Sequence, residues 1–421
     1  MSDRRGGLLR NPEFLKFWSG QSISLLGSQF TQFALPIAAA VSLGATPVQM
    51  GLLGAIEFAP GLTLGLLAGV FLDRTRRRPV MVVAQATSAG VLATVPLAAA
   101  AHVLSMPQVY AVGFIAGSAS TFYAVAQAAY LPTLVGRTRL LEANARVQTS
   151  STLAALIGPG FAGVAVQLLT APIAIGVDAA SFVIGAATAA WLRANEPPVA
   201  DWSKPLHPFS EAKEGLAVMW RQPLVRGIVA TLAIANAGAG MSLAVFVLLF
   251  VQRIGVSPAQ LGLVFAASSL SSLIGAQVTR PLERHMGVGR VMMLAPILVG
   301  LGALVQLVAA YAPRPLTLSL LVAGGIIGGF GLMSYNIPQQ AIRQAVIPDH
   351  LLARTTASAS TVVGAVAIVA ALAGGVLAQF AGLRSTLGAA TAITMLCWLP
   401  TALSPLRSLH DVPATRDQAT G

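Results

Sequence analysis

Two carboxylates stand where an apolar chain has least use for them. Glu57 interrupts "GLLGAIEFAPGLTLGLLAGVFL" and Asp178 interrupts "APIAIGVDAASFVIGAATAA". A charge in mid-bilayer costs about 2.5–3.5 kcal/mol on insertion scales, so such acids default to functional candidates, often as proton carriers. Each also has a structural reading, as a protonated or hydrogen-bonded acid that ties helices together. No Lys, Arg or His falls mid-span beside either one, and the five histidines lie at helix ends or in loops. Neither a histidine relay nor a metal site is therefore expected. A third group is the cluster in "GVFLDRTRRRPV", where Asp73 precedes Arg74, Arg76, Arg77 and Arg78. Charge gathered at the end of an apolar run fixes a loop on one side of a membrane. A fourth group is uncharged. Gln21, Ser24, Ser28 and Thr31 or Gln32 fall on one helical stripe with Gln29 near it,. Tyr123, Gln127, Asn236, Tyr335, Asn336, Gln339 and Gln340 are scattered through later apolar runs. Such groups suit a neutral or amphipathic organic substrate. Interhelical hydrogen bonding, worth about 0.6 kcal/mol per contact on average, is the alternative.

Composition sets the elements that must position these groups. The 421 residues are 55% hydrophobic and 10% charged, with a mean hydropathy of +0.76. Soluble proteins run near 25% charged, so this apolar excess points to lipid as the solvent. Glycine, at 41 residues, lets membrane helices approach closely. Cys397 is the single cysteine, so no intrachain disulfide forms and redox chemistry is not expected. The net charge of +12 would raise the question of nucleic acid in a soluble protein. Here the placement of the charges matters more than their sum, and no nucleic-acid partner is expected. The first apolar run, 17–43, is too long for a signal peptide core, and no cleaved leader is expected.

Runs of about 20 apolar residues predict twelve spans: 16–42, 48–72, 80–102, 107–130, 142–168, 172–192, 224–251, 258–282, 290–312, 316–340, 351–379 and 384–405. The polar stretch 193–223 splits them six and six, giving an N-terminal bundle 1–192, a cytoplasmic linker 193–223, a C-terminal bundle 224–406 and a cytoplasmic tail 407–421. With both termini inside, outside loops hold only Arg253, Arg314 and Arg384 of the 26 Lys and Arg, a strong positive-inside bias. Trp18, Trp191, Trp202, Trp220 and Trp398 map to the cytoplasmic side as interfacial anchors,. Within the linker, "PFSEAKEGLAVMWRQ" reads as a short amphipathic helix, with Ser210 as N-cap and Leu216, Met219 and Trp220 on one side. It either lies on the membrane surface or is a solvated linker helix.

The chain also repeats itself. "RNP" from Arg10 recurs as "RQP" from Arg221, "GATPVQMGL" from Gly44 recurs as "GVSPAQLGL" from Gly255, Leu140-Leu141 matches Leu351-Leu352, and Gly163 matches Gly374. All share an offset of 211 residues. "LDR" from Leu72 meets "LER" from Leu282 one residue short of that offset. Duplicated bundles of this kind usually bind substrate near the midplane between the halves.

"GVFLDRTRRRPV" resembles the signature between the second and third helices of the major facilitator superfamily, matched at Gly69, Asp73, Arg74, Arg77 and Arg78. The second half keeps Glu283 and Arg284, with Thr279 in place of the glycine. "ALIGPGFAGV" resembles the fifth-helix signature of the superfamily's antiporters through Gly158, Pro159 and Gly163, with Ala154 and Ala162 where glycines are usual. "LPTLVGRTRLLEANAR", "VDAASFVIGA" and "YNIPQQAIRQAVIPDHLLAR" look like the branch of enterobactin exporters and macrolide-efflux proteins. The resemblance implies an all-α integral membrane fold, with twelve transmembrane helices in two pseudo-symmetric six-helix bundles around a central cavity. It implies that Asp73 acts as a latch at the cytoplasmic start of the eleventh helix, with Arg354 as partner and Arg74, Arg77 and Arg78 orienting it. Plain topology without gating is the other reading of that loop. The fourth span lacks the arginine that many drug/proton antiporters of the superfamily carry there.

Together these readings predict a secondary exporter of amphipathic organic molecules (drug, antibiotic or siderophore-like). It would work by proton antiport and alternating access, with Glu57 and Asp178 as coupling candidates. Gln21, Ser28, Gln32, Tyr123, Gln127, Asn236, Tyr335, Asn336 and Gln339 are the cavity candidates. No cofactor and no enzymatic activity are expected, and no phosphate-cradling G-x-x-x-x-G-K-[ST] loop occurs,. The expected partners are the substrate, protons and the lipid bilayer, for a monomer in the cytoplasmic (inner) membrane. A lysophospholipid or lipid flippase, or an importer, are the alternatives on the same fold.

Overall fold

The computed structural model describes residues 8–193, 196 and 208–413, and among them the chain is helical with no strand. The first helices are α1 (Pro12–Ile37), α2 (Pro47–Asp73), α3 (Arg77–Ala100), α4 (Met106–Val135), α5 (Leu140–Leu169) and α6 (Ala171–Ala190). They are followed by α7 (Pro208–Arg221), α8 (Pro223–Val247), α9 (Pro258–Met286), α10 (Val288–Ala309), α11 (Arg314–Val346), α12 (Asp349–Ala381), α13 (Leu383–Met395) and α14 (Leu399–Ala402). Among the described residues, ten helical runs are long and apolar enough to cross a membrane. The protein is therefore a multi-pass membrane protein.

The chain divides into two compact units: Met1–Gly44 with Ala59–Leu206, and Ala45–Phe58 with His207–Gly421. The first turns of α2 thus pack with the later helices. In the first unit α1 packs on α5 and α6, and α3 on α4 and α6. In the second unit α8 packs on α12 and α13, and α10 on α11 and α13. The pairings match helix for helix at the spacing of the sequence repeat. Each unit has its own apolar interior, with Phe14, Met81, Tyr130 and Leu192 in the first and Ile228, Met292, Tyr335 and Ile342 in the second. Outward-facing residues are also apolar, including Leu168, Phe380 and Leu403, as a lipid solvent requires.

The repeated sequences repeat because they do the same local work. Gly44 and Gly255 both take positive φ, 60° and 85°, a conformation that glycine adopts without steric cost. Two residues on, Thr46 and Gln49 cap α2 reciprocally: the Thr46 N–H donates to Gln49 Oε1 at 2.8 Å and the Gln49 N–H to Thr46 Oγ1 at 3.3 Å. Ser257 and Gln260 form the same capping box on α9, at 2.9 and 3.2 Å,. The helices before these loops both end in π-helical turns, Ala38–Ser42 and Leu248–Ile254.

Several boundaries differ from expectation. Asn11 caps α1 by accepting from the Glu13 and Phe14 N–H groups, with Pro12 at the first position, so α1 starts four residues before the expected 16. α4 continues to Val135 and stops at Gly136, whose φ is 73°. α11 and α12 have 33 residues each, about 50 Å at 1.5 Å per residue, and so project beyond a hydrocarbon core of about 30 Å. The run 384–405, read as one span, breaks between α13 and α14. Pro400 has no N–H and its ring opposes the carbonyl of Leu396, where the helix stops. The buried Cys397 in the break directs Sγ to the Pro296 carbonyl at 3.4 Å.

The linker helix forms as α7, but it opens at Pro208, so Ser210 lies in its first turn and is not the cap. Proline is favoured at that first position because its missing N–H has no intrahelical partner there. α7 packs on α12. Met219 is buried against Val225, Val229, Ile347 and Ala359, while Leu216 and Trp220 remain exposed. Trp202 lies outside the described residues.

Candidate functional site

Asp178 sits on the buried face of α6. Its Oδ2 accepts from Thr31 Oγ1 of α1 at 2.5 Å, and its Oδ1 from Ser181 Oγ, one turn on, at 2.9 Å. Nearby, Ser24 Oγ lies 3.4 Å from both Gln85 Oε1 of α3 and the Ser181 carbonyl. Gln85 is in turn the polar neighbour of the Tyr123 hydroxyl on α4. The result is a polar seam through the inside of the first unit, in which both carboxylate oxygens already have hydroxyl donors.

Glu57 is different. It lies in the part of α2 that belongs to the second unit and is half-buried. Among the described residues it has no hydrogen bond and no ion pair. An acid on an apolar helix without a donor is the arrangement least explained by structure alone.

The uncharged candidates divide. On α1, Gln21 is buried with its Oε1 unpartnered among the described residues, Ser28 turns its hydroxyl back to the Ser24 carbonyl at 2.8 Å, and Gln32 is exposed. Tyr123 and Gln127 are half-buried on α4. On α8, Asn236 donates to the Leu232 carbonyl at 2.8 Å. On α11, Tyr335 and Gln339 are buried and Asn336 is half-buried. Among the described residues, Tyr335 lies beside the Thr231–Thr401 hydroxyl pair without a close bond of its own, and Gln339 Oε1 is also unpartnered. Ser28 and Asn236 are thus satisfied within their own helices, whereas Gln21 and Gln339 keep free acceptors among the described residues. In the fifth-helix signature, Gly158 is required by a close approach: a Cβ there would stand 2.6 Å from Gln29 Cβ of α1. Pro159 lies inside α5, and Gly163 is buried.

The basic stretch carries an arrangement that the sequence did not indicate. α3 begins at Arg77, and its first two N–H groups, of Arg77 and Arg78, donate to Glu196 Oε2 and Oε1 at 2.6 and 3.0 Å. The carboxylate satisfies orphan donors at a positive helix end. Arg78 complements it from the other direction, donating from Nε to the Ala189 carbonyl and from Nη2 to the Ala190 carbonyl at the C-terminus of α6. Glu13 of α1 accepts from the Arg193 N–H at 2.7 Å and pairs with Lys16 at 2.7 Å. The chain leaving α6 is therefore clasped to the starts of α1 and α3. The second unit closes the same place with main chain: the Val288 and Gly289 N–H groups of α10 donate to the carbonyls of His410 and Leu409 at 3.0 and 2.8 Å. Residues 77 and 78 become 288 and 289 at the repeat offset of 211.

Of the remaining signature residues, Gly69 has no described atom near where a Cβ would stand, and Arg74 bonds back to the Phe71 carbonyl through its N–H. Asp73 ends α2, and its side chain lies outside the described part. Arg354 on α12 has an acid partner that the sequence did not indicate: its Nη1 meets Glu214 Oε2 of α7 at 2.6 Å.

The model of the Major Facilitator Superfamily matches residues 17–257 and 230–419. The chain is 28% identical over 342 residues to the multidrug efflux pump Tap of Mycolicibacterium fortuitum, covering 78% of this chain and 80% of that protein. It is 28% identical over 365 residues to the enterobactin exporter EntS of Escherichia coli O1:K1 / APEC, covering 82% and 84%. Its fold is similar to that of a solved bacterial homologue of the iron transporter ferroportin, with a TM-score of 0.74 at 15% identity over 94% of this chain and 99% of that one. With two family matches spanning both repeats of a helical, multi-pass membrane protein, the chain belongs to the Major Facilitator Superfamily of transporters.

Proposed function

We propose that this transporter exports amphipathic organic small molecules across the cytoplasmic membrane by proton antiport and alternating access. The observation that carries export is the similarity to a multidrug efflux pump and a siderophore exporter over about four fifths of each chain. Ten helical runs suit spanning. The 27-residue α2 and the broken α13–α14 pair supply two more, for twelve spans in two bundles with both termini cytoplasmic. Glu57 is the proton-coupling residue in this reading, because Asp178 is already engaged by Thr31 and Ser181. Asp73 and Arg354 form the cytoplasmic latch, with Glu214 as the competing partner of Arg354.

The test is uptake of a panel of amphipathic compounds into everted membrane vesicles, with and without a pH gradient, for wild type and Glu57→Gln. Proton-driven export expects uptake that collapses both when the gradient is dissipated and in the variant. Gradient-independent movement of lysolipids, unchanged in Glu57→Gln, overturns the reading in favour of lipid translocation.

A further inference from the structure

Next to the clasp in the first unit lies a cleft of about 740 Å³ between the start of α3 and the end of α6, lined in part by Arg76, Arg78 and Arg193 above Val82 and Val83. A neighbouring hollow adds Lys16 and Trp191. Glu196 borders the cleft, but its two oxygens accept the first N–H groups of α3, and Lys16 is paired with Glu13. Among the described residues, the cleft's lining thus holds three guanidinium groups and one committed carboxylate, with Glu13, already bonded to Lys16 and the Arg193 N–H, near Arg193 at its edge. Below them Val83 is 63% exposed, and beside them Trp191 is 66% exposed. An exposed tryptophan at a helix end marks headgroup depth, and an exposed valine just inside the helix marks where acyl chains begin. Cations above an apolar wall at that depth match the two ends of a phospholipid.

The second unit has a cleft at the equivalent place, lined by Arg290, Met293, Leu294, Arg407 and Ser408. Residues 79, 82, 83 and 196 of the first cleft become 290, 293, 294 and 407 at the repeat offset of 211. The hollow and its basic rim thus recur, with fewer guanidinium groups.

We infer that the cleft of Arg76, Arg78 and Arg193 binds the phosphate of an anionic phospholipid, with an acyl chain lying along Val82 and Val83. Basic pockets between helices on the cytoplasmic side are suited to such headgroups, and the positive-inside pattern places this end there. Arg78 also holds the end of α6, so Arg76 and Arg193 are the residues to alter.

The experiment is native mass spectrometry of the delipidated full chain titrated with phosphatidylglycerol, with phosphatidylcholine and inorganic phosphate as separate arms. The tightest phosphatidylglycerol site is expected to weaken about 30-fold in Arg76→Ala/Arg193→Ala, about fivefold for each cation removed. It should stay within a few-fold of wild type in Arg76→Lys/Arg193→Lys, and Arg314→Ala should leave it unchanged. Equal binding of phosphatidylcholine, or unchanged phosphatidylglycerol affinity in the double alanine variant, overturns the inference. Competition by millimolar inorganic phosphate overturns the lipid assignment in favour of a free-anion site. Equal weakening in the alanine and lysine variants shows that local structure, not charge, holds the lipid, and also overturns it.

Discussion

Thr170 joins α5 to α6 at φ 82° and ψ 157°, a region open in practice only to glycine and costing other residues roughly 1–3 kcal/mol. The equivalent joint in the second half, between α12 and α13, is Gly382 at φ 87° and ψ 163°. The Thr170 side chain is exposed, so replacing it removes little packing, and its backbone bonds to Val166 and Ala174 survive the change. Thr170→Gly relieves the strain at a cost of about 0.5–1 kcal/mol in unfolded-chain freedom. The expected net gain is about 1 kcal/mol, or about 2–4 °C for a cooperative unit of 150–250 residues. Thermal unfolding of purified protein in detergent reads it directly. Thr170→Ala is the control, because it keeps the Cβ that clashes and should gain nothing. A Thr170→Gly protein that melts at or below wild type, or a Thr170→Ala protein that gains as much, refutes the strain argument.

Asp178→Ala leaves the Thr31 and Ser181 hydroxyls without their acceptor and should destabilise by about 1–3 kcal/mol. Asp178→Asn keeps an acceptor oxygen, so it should lose less on thermal unfolding and still transport. Glu196→Ala strips two N–H groups at the start of α3 of their acceptor, worth about 1–2 kcal/mol by analogy with helix capping. Amide exchange at Arg77, Arg78 and Val80 should quicken roughly 5–30-fold, with helix interiors unaffected. A double-mutant cycle on Glu214 and Arg354, whose side chains are 50% and 38% exposed, should return a coupling of only about 0.2–1 kcal/mol. A larger value would mean that the pair does more than hold α7 in place.

Much of the scaffold was legible because lipid writes itself into sequence as long apolar runs. The repeat was legible because Gly44 and Gly255, Thr46 and Ser257, and Gln49 and Gln260 must satisfy the same loop geometry twice. The break at Leu396 was written in Pro400, but the apolar run across it hid the signal. Of the site, the sequence singled out Asp178 and Thr31 separately. Their pairing spans 147 residues and leaves no periodic trace. Glu196 and Glu13 were missed for a different reason. Their partners are backbone N–H groups, which every residue but proline carries, so no complementary side chain announces the contact. Arg354 was expected to face Asp73, and Glu214 escaped notice because it reads as one more charge on a solvated helix.

The clasp has a consequence for the order of synthesis. Glu196 lies 119 residues beyond the Arg77 N–H that it caps, so the ribosome delivers the acceptor roughly 6 to 24 seconds after the donor at about 5–20 residues per second. Throughout that interval α3 has an open N-terminus, and for most of it the end of α6 does not yet exist. Once residue 196 has been added, every partner in the clasp has been synthesised, before any residue of α7. The second set of helices is closed by residues 409 and 410, which again arrive after the last helix. Each half thus receives its fastener from the chain that immediately follows it, and the first can be locked while the second is still being translated.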